Sequence, residues 1–354
     1  LKEAFNGEST MAYLASDNIS GVCPEILEAL AKANVGYAKS YGADEWSKKL
    51  TAAFRELFEH DDLAIFPVFN GSAANCSALA SLMRPYEAVL AHEHSHIEQD
   101  ECGMPEFFTG GKVIGVSGEN GKIQASDCRE ATVRAKAMGV HHVRPRLISI
   151  TQATEFGTVY RVNEISAIAT LAKNEGLYLH MDGARFANAV VSVGCKPADL
   201  TWRAGVDVIS FGATKNGAML AEAVIFFRPE LAADFGYIRK RAGQLASKQR
   251  FISAQLLAML ENNLWLKNAT HANLSAKNLA NGLKNISGVK ILNSVEANEL
   301  FVELPKRLAD GLLSKEHYFY NWPLLGADIY RLVTSFQTSA EDIEEFVADC
   351  RGQA

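Results

Sequence analysis

Residues 177–216 read LYLHMDGARFANAVVSVGCKPADLTWRAGVDVISFGATKN, and the fold turns on how that stretch divides. LYLHMDGARF (177–186) and VDVISFGATKN (206–216) are each a short apolar run that ends in polar residues, with one helix between them. Apolar runs of this kind suit strands buried on both faces, the pattern of a mostly parallel sheet covered by helices. Asp182 and Lys215 fall at the mouths of these two predicted strands, where an unpaired charge is costly.

The same rhythm continues upstream. RLISITQATE (146–155) predicts a strand with polar residues at its exit, and VNEISAIATLAKNEG (162–176) a helix closed by Gly176. LAIFPVFNGSAANCSALASLM (63–83) predicts a strand, a turn at Asn70-Gly71 and a helix. AVLAHEHSHIEQDECG (88–103) reads as a strand running into a histidine-laden segment. PEILEALAKAN (24–34) is a helix opening at Pro24, and Trp46, Leu50, Phe54 and Leu57 mark another over about 44–60.

Downstream, AEAVIFFRP (221–229) follows Lys215, and 230–267 reads as strongly helical, linking two parts of the molecule. Two strands in 288–305, a helix near 306–314, the strand IYRLVTSF (329–336) and a last helix from Glu341 complete a smaller α+β unit. The fold class is therefore α/β. The expected divisions are an N-terminal segment (1–20) packing near the small domain and the active site, a large domain (21–255) and a small C-terminal domain (256–354).

A chain of 354 residues has length enough for a large core and two domains. Its formal net charge of −6 argues against a general nucleic-acid surface, and no apolar window reaches transmembrane length, so neither nucleic acid nor membrane is expected as a partner. The six cysteines are widely spaced with no CxxC pair. They point to free thiols in a reducing compartment, and a cytoplasmic location is expected.

Ligands of open α/β sheets sit beyond the carboxyl ends of the strands, and four polar clusters occupy such ends. Gly71-Ser72, with Asn75, begins a helix whose exposed N–H groups suit a phosphate; an ordinary capped helix has the same signature. There is no GxxxxGK[ST] loop and no strand-GxGxxG-helix fingerprint. Asp182 is either a solvated turn cap or the anionic partner of a protonated pyridine nitrogen, with Arg185 as a nearby counter-charge. Lys215 either snorkels to solvent or is a Schiff-base lysine, its amine activated by partial burial. An aspartate and a lysine at two strand ends together point to pyridoxal phosphate, which neither does alone.

HEHSH (92–96) raises a zinc site, because alternating histidines share one face if extended. Glu93, Glu98, Asp100 and Glu101 alone stand nearby as complementary ligands, in directions the sequence does not fix, and no metal is expected. His96 is the better candidate for a ring stacked on the cofactor, and His141 and His142 precede the 146–150 strand as a second imidazole source. Arg331, within a predicted strand, either faces water or binds a carboxylate through its fork. In RKRAGQLASKQR (239–250), Lys248 or Lys240 is placed to reach a phosphate, across a subunit boundary if the chain is oligomeric.

Taken together, SDN (16–18), YGADEW (41–46), FNGSAAN (69–75), HSHIEQDECG (94–103), TQATEFGTVY (151–160), HMDGARFANA (180–189), FGATKNG (211–217) and RLVTSF (331–336) resemble the low-specificity L-threonine aldolases. These are members of the aspartate-aminotransferase-like, fold type I group of pyridoxal phosphate enzymes, related to the β-eliminating lyases. The resemblance implies a mostly parallel, seven-stranded central sheet. It implies retro-aldol cleavage of L-threonine or L-allo-threonine, and of aryl analogues such as L-phenylserine, to glycine and an aldehyde.

By the same resemblance, Lys215 carries the cofactor, Asp182 pairs with its ring nitrogen, His96 stacks on the ring and His141 lies near the substrate hydroxyl. Gly71 and Ser72 hold the phosphate, with Lys248 and Tyr41 contributing near the cofactor. Ser16, Arg185 and Arg331 engage the substrate carboxylate. Dimers or tetramers with shared active sites are implied, so a homotetramer or homodimer is expected. ATKNG departs from the SKGLG of many relatives, and Lys248 stands where arginine is frequent. The competing readings are another pyridoxal phosphate reaction on the same scaffold, β-elimination or transamination, and a non-enzymatic binding protein.

Overall fold

The computed structural model describes residues 11–353, so residues 1–10 of the expected N-terminal segment lie outside the described part. Helices α1 (Pro24–Ala33) and α2 (Glu45–Phe58) precede β1 (Ala64–Val68), and α3 (Gly71–Leu82) leads to β2 (Glu87–His92). Short helices α4 (His96–Gln99) and α5 (Met104–Thr109) come before β3 (Lys112–Val116). Then α6 (Ala125–Ala137), β4 (Arg144–Thr151), α7 (Val162–Glu175), β5 (Tyr178–Gly183) and α8 (Phe186–Val193) alternate, and β6 (Val208–Gly212) and β7 (Glu222–Phe226) follow.

The seven strands form one sheet in the order β1-β7-β6-β5-β4-β2-β3. Neighbours pair in parallel except around β7, which is antiparallel to both β6 and β1. Only a short turn joins β6 to β7, too short for the crossover a parallel pair requires. Strands β5, β6 and β7 are buried along nearly their whole length, which is why they read as continuous apolar runs. Within β5, His180 is fully buried between the Ser149 and Ser210 hydroxyls, and burial pushes its imidazole down to about 4, leaving a neutral ring below Asp182.

The region 230–267 is not one helix. It holds α9 (Phe235–Arg241), α10 (Arg250–Leu260) and the start of α11 (Leu264–Leu283), with Asn262 and Asn263 in left-handed conformation at the second break. The small unit adds β8 (Lys290–Ile291), β9 (Glu299–Glu303), α12 (Lys306–Ser314), β10 (Tyr320–Asn321), β11 (Ile329–Val333) and α13 (Ala340–Gln353). Its antiparallel sheet runs β10-β11-β9-β8.

A division at residue 255 falls inside α10, and the change of core occurs along α11. Trp265 and Ala269 pack with the large sheet, whereas Ala276, Leu279 and Leu283 pack with α13 and β9. The chain near Ala12–Leu14 joins the small core, with Leu14 N–H on the Tyr318 carbonyl at 2.7 Å and Val333 N–H on the Leu14 carbonyl at 2.7 Å. That anchorage delivers Ser16, Asp17 and Asn18 to the cleft between the two units.

Candidate active site

Two adjoining chambers open at the carboxyl ends of β1, β2, β4, β5 and β6. The first is lined by residues that include Gly71, Ser72, Asp182, Lys215 and Glu222. The second is lined by residues that include Ser16, His94, Glu155, Arg185 and Arg331. Asn18, His96 and Lys215 border both. Asp182 and Lys215 thus face one cavity.

Lys215 is half-buried in a 3₁₀ turn, Thr214–Asn216, that follows β6. The turn is held from three sides: Glu222 Oε2 accepts the Ala213 N–H at 2.8 Å, Asn216 Nδ2 donates to the Trp265 carbonyl at 2.8 Å, and Asn268 Nδ2 donates to the Asn216 carbonyl at 2.7 Å. Gly217 ends it with φ of 113°, and a Cβ there would stand 2.3 Å from Cys23 Sγ, so only glycine fits. Burial pushes the Glu222 carboxyl up to about 7, against the pull of the Thr214 and Ala213 donors and of Lys215.

Asp182 closes β5 with both oxygens engaged, Oδ1 by the Ala184 N–H at 3.0 Å and Oδ2 by Asn75 Nδ2 at 2.8 Å. Also bordering this cavity, Asn70 caps α3 by accepting the Ala73 N–H at 2.8 Å. The Gly71 and Ser72 N–H groups, in the helix's first turn, have no acceptor within the helix. A Cβ on Gly71 would meet nothing within 4 Å, which leaves open space over this N-terminus. A phosphate at these amides, an aldehyde at Lys215 and a pyridine nitrogen at Asp182 match the donor set of a single cavity. The residues therefore fit pyridoxal phosphate.

The three histidines of HEHSH do not share an extended face. The chain turns after β2, His92 Nε2 contacts the Gly118 carbonyl at 2.9 Å, and α4 begins at His96. His96 Nδ1 meets Glu101 Oε1 at 3.2 Å, and its own N–H donates to Glu155 Oε1 at 2.9 Å. The Glu101 contact, joined by the Glu155 and Asp182 charges, raises the His96 pKa against the opposing effects of burial and Lys215. Burial, with the Asp182 charge, likewise pushes the Glu155 carboxyl up.

Arg185 is buried and pairs bidentately with Asp17, while its Nη1 lies 3.5 Å from Glu299. Arg331 stacks on Trp322 at 4.4 Å, places Nη1 3.5 Å from the other Glu299 oxygen, and keeps a buried Nε without a partner. Ser16 caps the turn that carries Asp17.

Three expected residues are not brought to the site of their own chain. His141 is exposed in a turn before β4, at the amino end of the sheet, because the carboxyl end of that strand is Thr151. Tyr41 and Lys248 are exposed and lie in neighbouring loops, joined by a Tyr41 N–H to Ser247 carbonyl bond of 3.0 Å. His94, by contrast, lines the second chamber together with His96. Glu222, Glu299 and Trp322 carry no sequence signal of their role, and Asp17 is visible only as part of SDN (16–18). Asp17 acts on Arg185, 168 positions away, whereas Glu222 meets the Ala213 N–H across the turn between β6 and β7 and Trp322 meets Arg331 beside the β10–β11 pair.

The chain matches the beta-eliminating lyase family over residues 13–306. It is 46% identical over 338 residues to the low specificity L-threonine aldolase of Pseudomonas sp. (strain NCIMB 10558), covering 95% of this chain and 96% of that protein. Identity to the enzyme of the same name from Pseudomonas aeruginosa is 44% with the same coverage. The solved structure of Leishmania major threonine aldolase superposes with a TM-score of 0.90 at 30% identity, over 96% of this chain and 98% of that one. Thermus thermophilus aspartate aminotransferase, at 17% identity over 98% and 96% of the two chains and a TM-score of 0.71, shares the fold.

Proposed function

The chain belongs to the beta-eliminating lyase family, and on that footing we propose that it is a pyridoxal phosphate-dependent aldehyde-lyase cleaving L-threonine and L-allo-threonine to glycine and acetaldehyde. The observation that carries this reading is the single cavity bordered by Lys215, Asp182, His96 and the Gly71-Ser72 helix start. Bound there, pyridoxal phosphate supplies an electron sink for the charge left at Cα when the Cα–Cβ bond breaks.

The protein's own groups do the rest. Lys215 holds the cofactor covalently and Asp182 keeps a proton at its ring nitrogen. Gly71 and Ser72 bind the phosphate through their N–H groups. Arg331 takes the substrate carboxylate, and Ser16 and Arg185 support it from the same chamber. Fixing the carboxylate orients the Cα–Cβ bond for cleavage. His96, with His94 beside it, takes the β-hydroxyl proton, a task suited to imidazole near neutral pH.

Phe156, Trp322 and Leu324 give the second chamber an apolar wall, which supports acceptance of aryl substrates such as L-phenylserine. Tyr41, Lys248 and His141, exposed in their own chain, serve a neighbouring copy in a homodimer or homotetramer. Six free cysteines support a cytoplasmic location. The test is to supply L-threonine and analyse the products. Glycine and acetaldehyde are expected, whereas a 2-oxo acid and ammonia would assign β-elimination instead.

A further inference from the structure

We infer that Glu101 is a positioning residue for this reaction: it fixes the orientation and charge of the His96 imidazole through Nδ1, so that Nε2 is the nitrogen that exchanges the substrate proton. The inference rests on the functional reading above and adds a residue to it. Glu101 follows α4, and its side chain is fully buried. Oε1 accepts from His96 Nδ1 at 3.2 Å and from Asn75 Nδ2 at 3.2 Å, and Oε2 from the Cys76 thiol at 3.3 Å.

Of these three donors only His96 can carry a positive charge. Among the described residues, Glu101 pairs with no lysine or arginine within 4.0 Å. A buried carboxylate without a cationic partner is strongly disfavoured, so the charges of Glu101 and His96 are coupled. The Asn75 amide has two protons and gives one to Glu101 and the other to Asp182 Oδ2 at 2.8 Å. His96 and Asp182, the two groups expected against the cofactor ring, therefore hang from one hydrogen-bonded chain.

Other charges reach His96 from every side. Glu155 accepts its backbone N–H, Asp182 lies on β5, and Lys215 on the turn after β6 opposes protonation. Asp100 Oδ2 stands 3.9 Å from Nε2 at the exposed mouth. With Nδ1 committed to Glu101, Nε2 is the ring nitrogen left for proton exchange. A carboxylate behind an imidazole fixes its tautomer in the same way in Ser-His-Asp triads.

The experiment is to follow the His96 ring protons by NMR across pH in the holoenzyme of the wild type, E101Q and E101D, with the signal assigned by its absence in H96N. The pH profile of kcat/KM for glycine release from L-threonine is measured alongside. E101Q keeps the shape and removes the charge, so the His96 midpoint moves to lower pH and the limb of the profile that follows it moves by the same amount. Should E101Q not fold, E101D draws the carboxylate back from Nδ1 and lowers the midpoint part of the way. An unchanged midpoint in whichever variant folds overturns the inference, as does a moved midpoint with an unmoved profile. A wild-type protein that releases no acetaldehyde overturns the functional reading instead, and the NMR midpoint reports on Glu101 independently of that result.

Discussion

Asp17 and Arg185 meet as a bidentate ion pair in the cleft between the two units, with Oδ2 2.7 Å from Nε and Oδ1 3.0 Å from Nη2, both side chains buried. The pair joins a segment held in the small core to the end of β5, one turn from Asp182. Asn298 Nδ2 adds a third donor to Asp17 at 3.1 Å, and Glu299 adds a second carboxylate to Arg185. Two edges of the Arg185 fork are therefore spent on the protein. Of the two arginines it is Arg331, which makes no bidentate pair and whose polar contacts among the described residues are a 3.3 Å bond from Nη2 to the Ala15 carbonyl and a 3.5 Å approach of Nη1 to Glu299, that has donor capacity left for a substrate carboxylate.

Asp17→Asn tests that pair. Removing one partner of a buried ion pair costs about 3 kcal/mol, so Tm falls and KM for L-threonine rises as the floor of the chamber loosens. Burial alone would raise the Asp17 carboxyl, but Arg185, Lys215 and Asn298 more than offset it and hold it below the ordinary range. A lowered folded pKa gives stability that is present above the unfolded pKa and is lost as pH falls through the folded one. The Tm gap between wild type and variant should thus close only in strong acid. Equal Tm values at neutral pH would show that the pair contributes nothing.

The central sheet is legible because buried strands are uniform: VDVISF and LYLHM have no polar face to confuse the period. Lys215 and Asp182 stand out because a polar residue ending such a run is conspicuous, whereas Gly71 shows as the turn before a helix and His96 only within the histidine cluster and the HSHIEQDECG resemblance. The stretch 104–139 offers no such contrast. Its strand β3 lies at the sheet edge with mixed burial and its helix α6 is polar overall, so neither stands out. Glu101, Glu222 and Glu299 look like any surface glutamate in one dimension. Their roles come from partners met only after folding, as Asn75 reaching Asp182 across 107 positions shows. Tyr41, Lys248 and His141 illustrate the converse: each lies exposed in a loop or turn away from the cavity of its own chain, a course that their local sequence does not reveal.

Lys215→Ala removes, among the described residues, the only lysine that borders both chambers. The visible absorption produced by covalent attachment of pyridoxal phosphate should disappear, and turnover with it. A variant that keeps both at wild-type levels would mean that another amine carries the cofactor.

Asp182→Asn keeps the shape of the side chain and removes its charge. The Ala184 N–H retains an acceptor, while the new amide faces the Asn75 Nδ2 that donated to Oδ2, at a cost of about 1–3 kcal/mol in stability. The ring nitrogen, however, loses the anion that holds its proton. Turnover should fall far more than Tm, as measured by acetaldehyde release and thermal unfolding on one preparation. Undiminished cleavage would remove Asp182 from the chemistry.

Arg331→Lys retains a positive charge but loses the planar fork and the stack on Trp322. A hydrogen bond to a charged group contributes about 1.5–3 kcal/mol, so KM for L-threonine should rise about tenfold or more, with a smaller change in kcat. Steady-state kinetics in the two variables separate the cases, and an unchanged KM would place the substrate carboxylate elsewhere.

Glu222→Gln tests the buried acid beside Lys215. Its pKa rises from an ordinary 4.5 to about 7 on folding, chiefly through burial. Between those values the folded protein keeps a proton that the unfolded chain has lost, so stability falls as pH rises. The contribution is complete below the unfolded pKa and is gone above the folded one, a difference on the order of 3 kcal/mol. Glutamine does not titrate. It still accepts from Ala213, and it turns its amide toward the longer Thr214 contact of 3.4 Å at a cost that does not depend on pH. The slope therefore decides, not the offset: wild-type Tm should decline relative to the variant between pH 5 and pH 8. Parallel curves over that range would show that Glu222 keeps an ordinary carboxyl and that Lys215 faces a full negative charge at neutral pH.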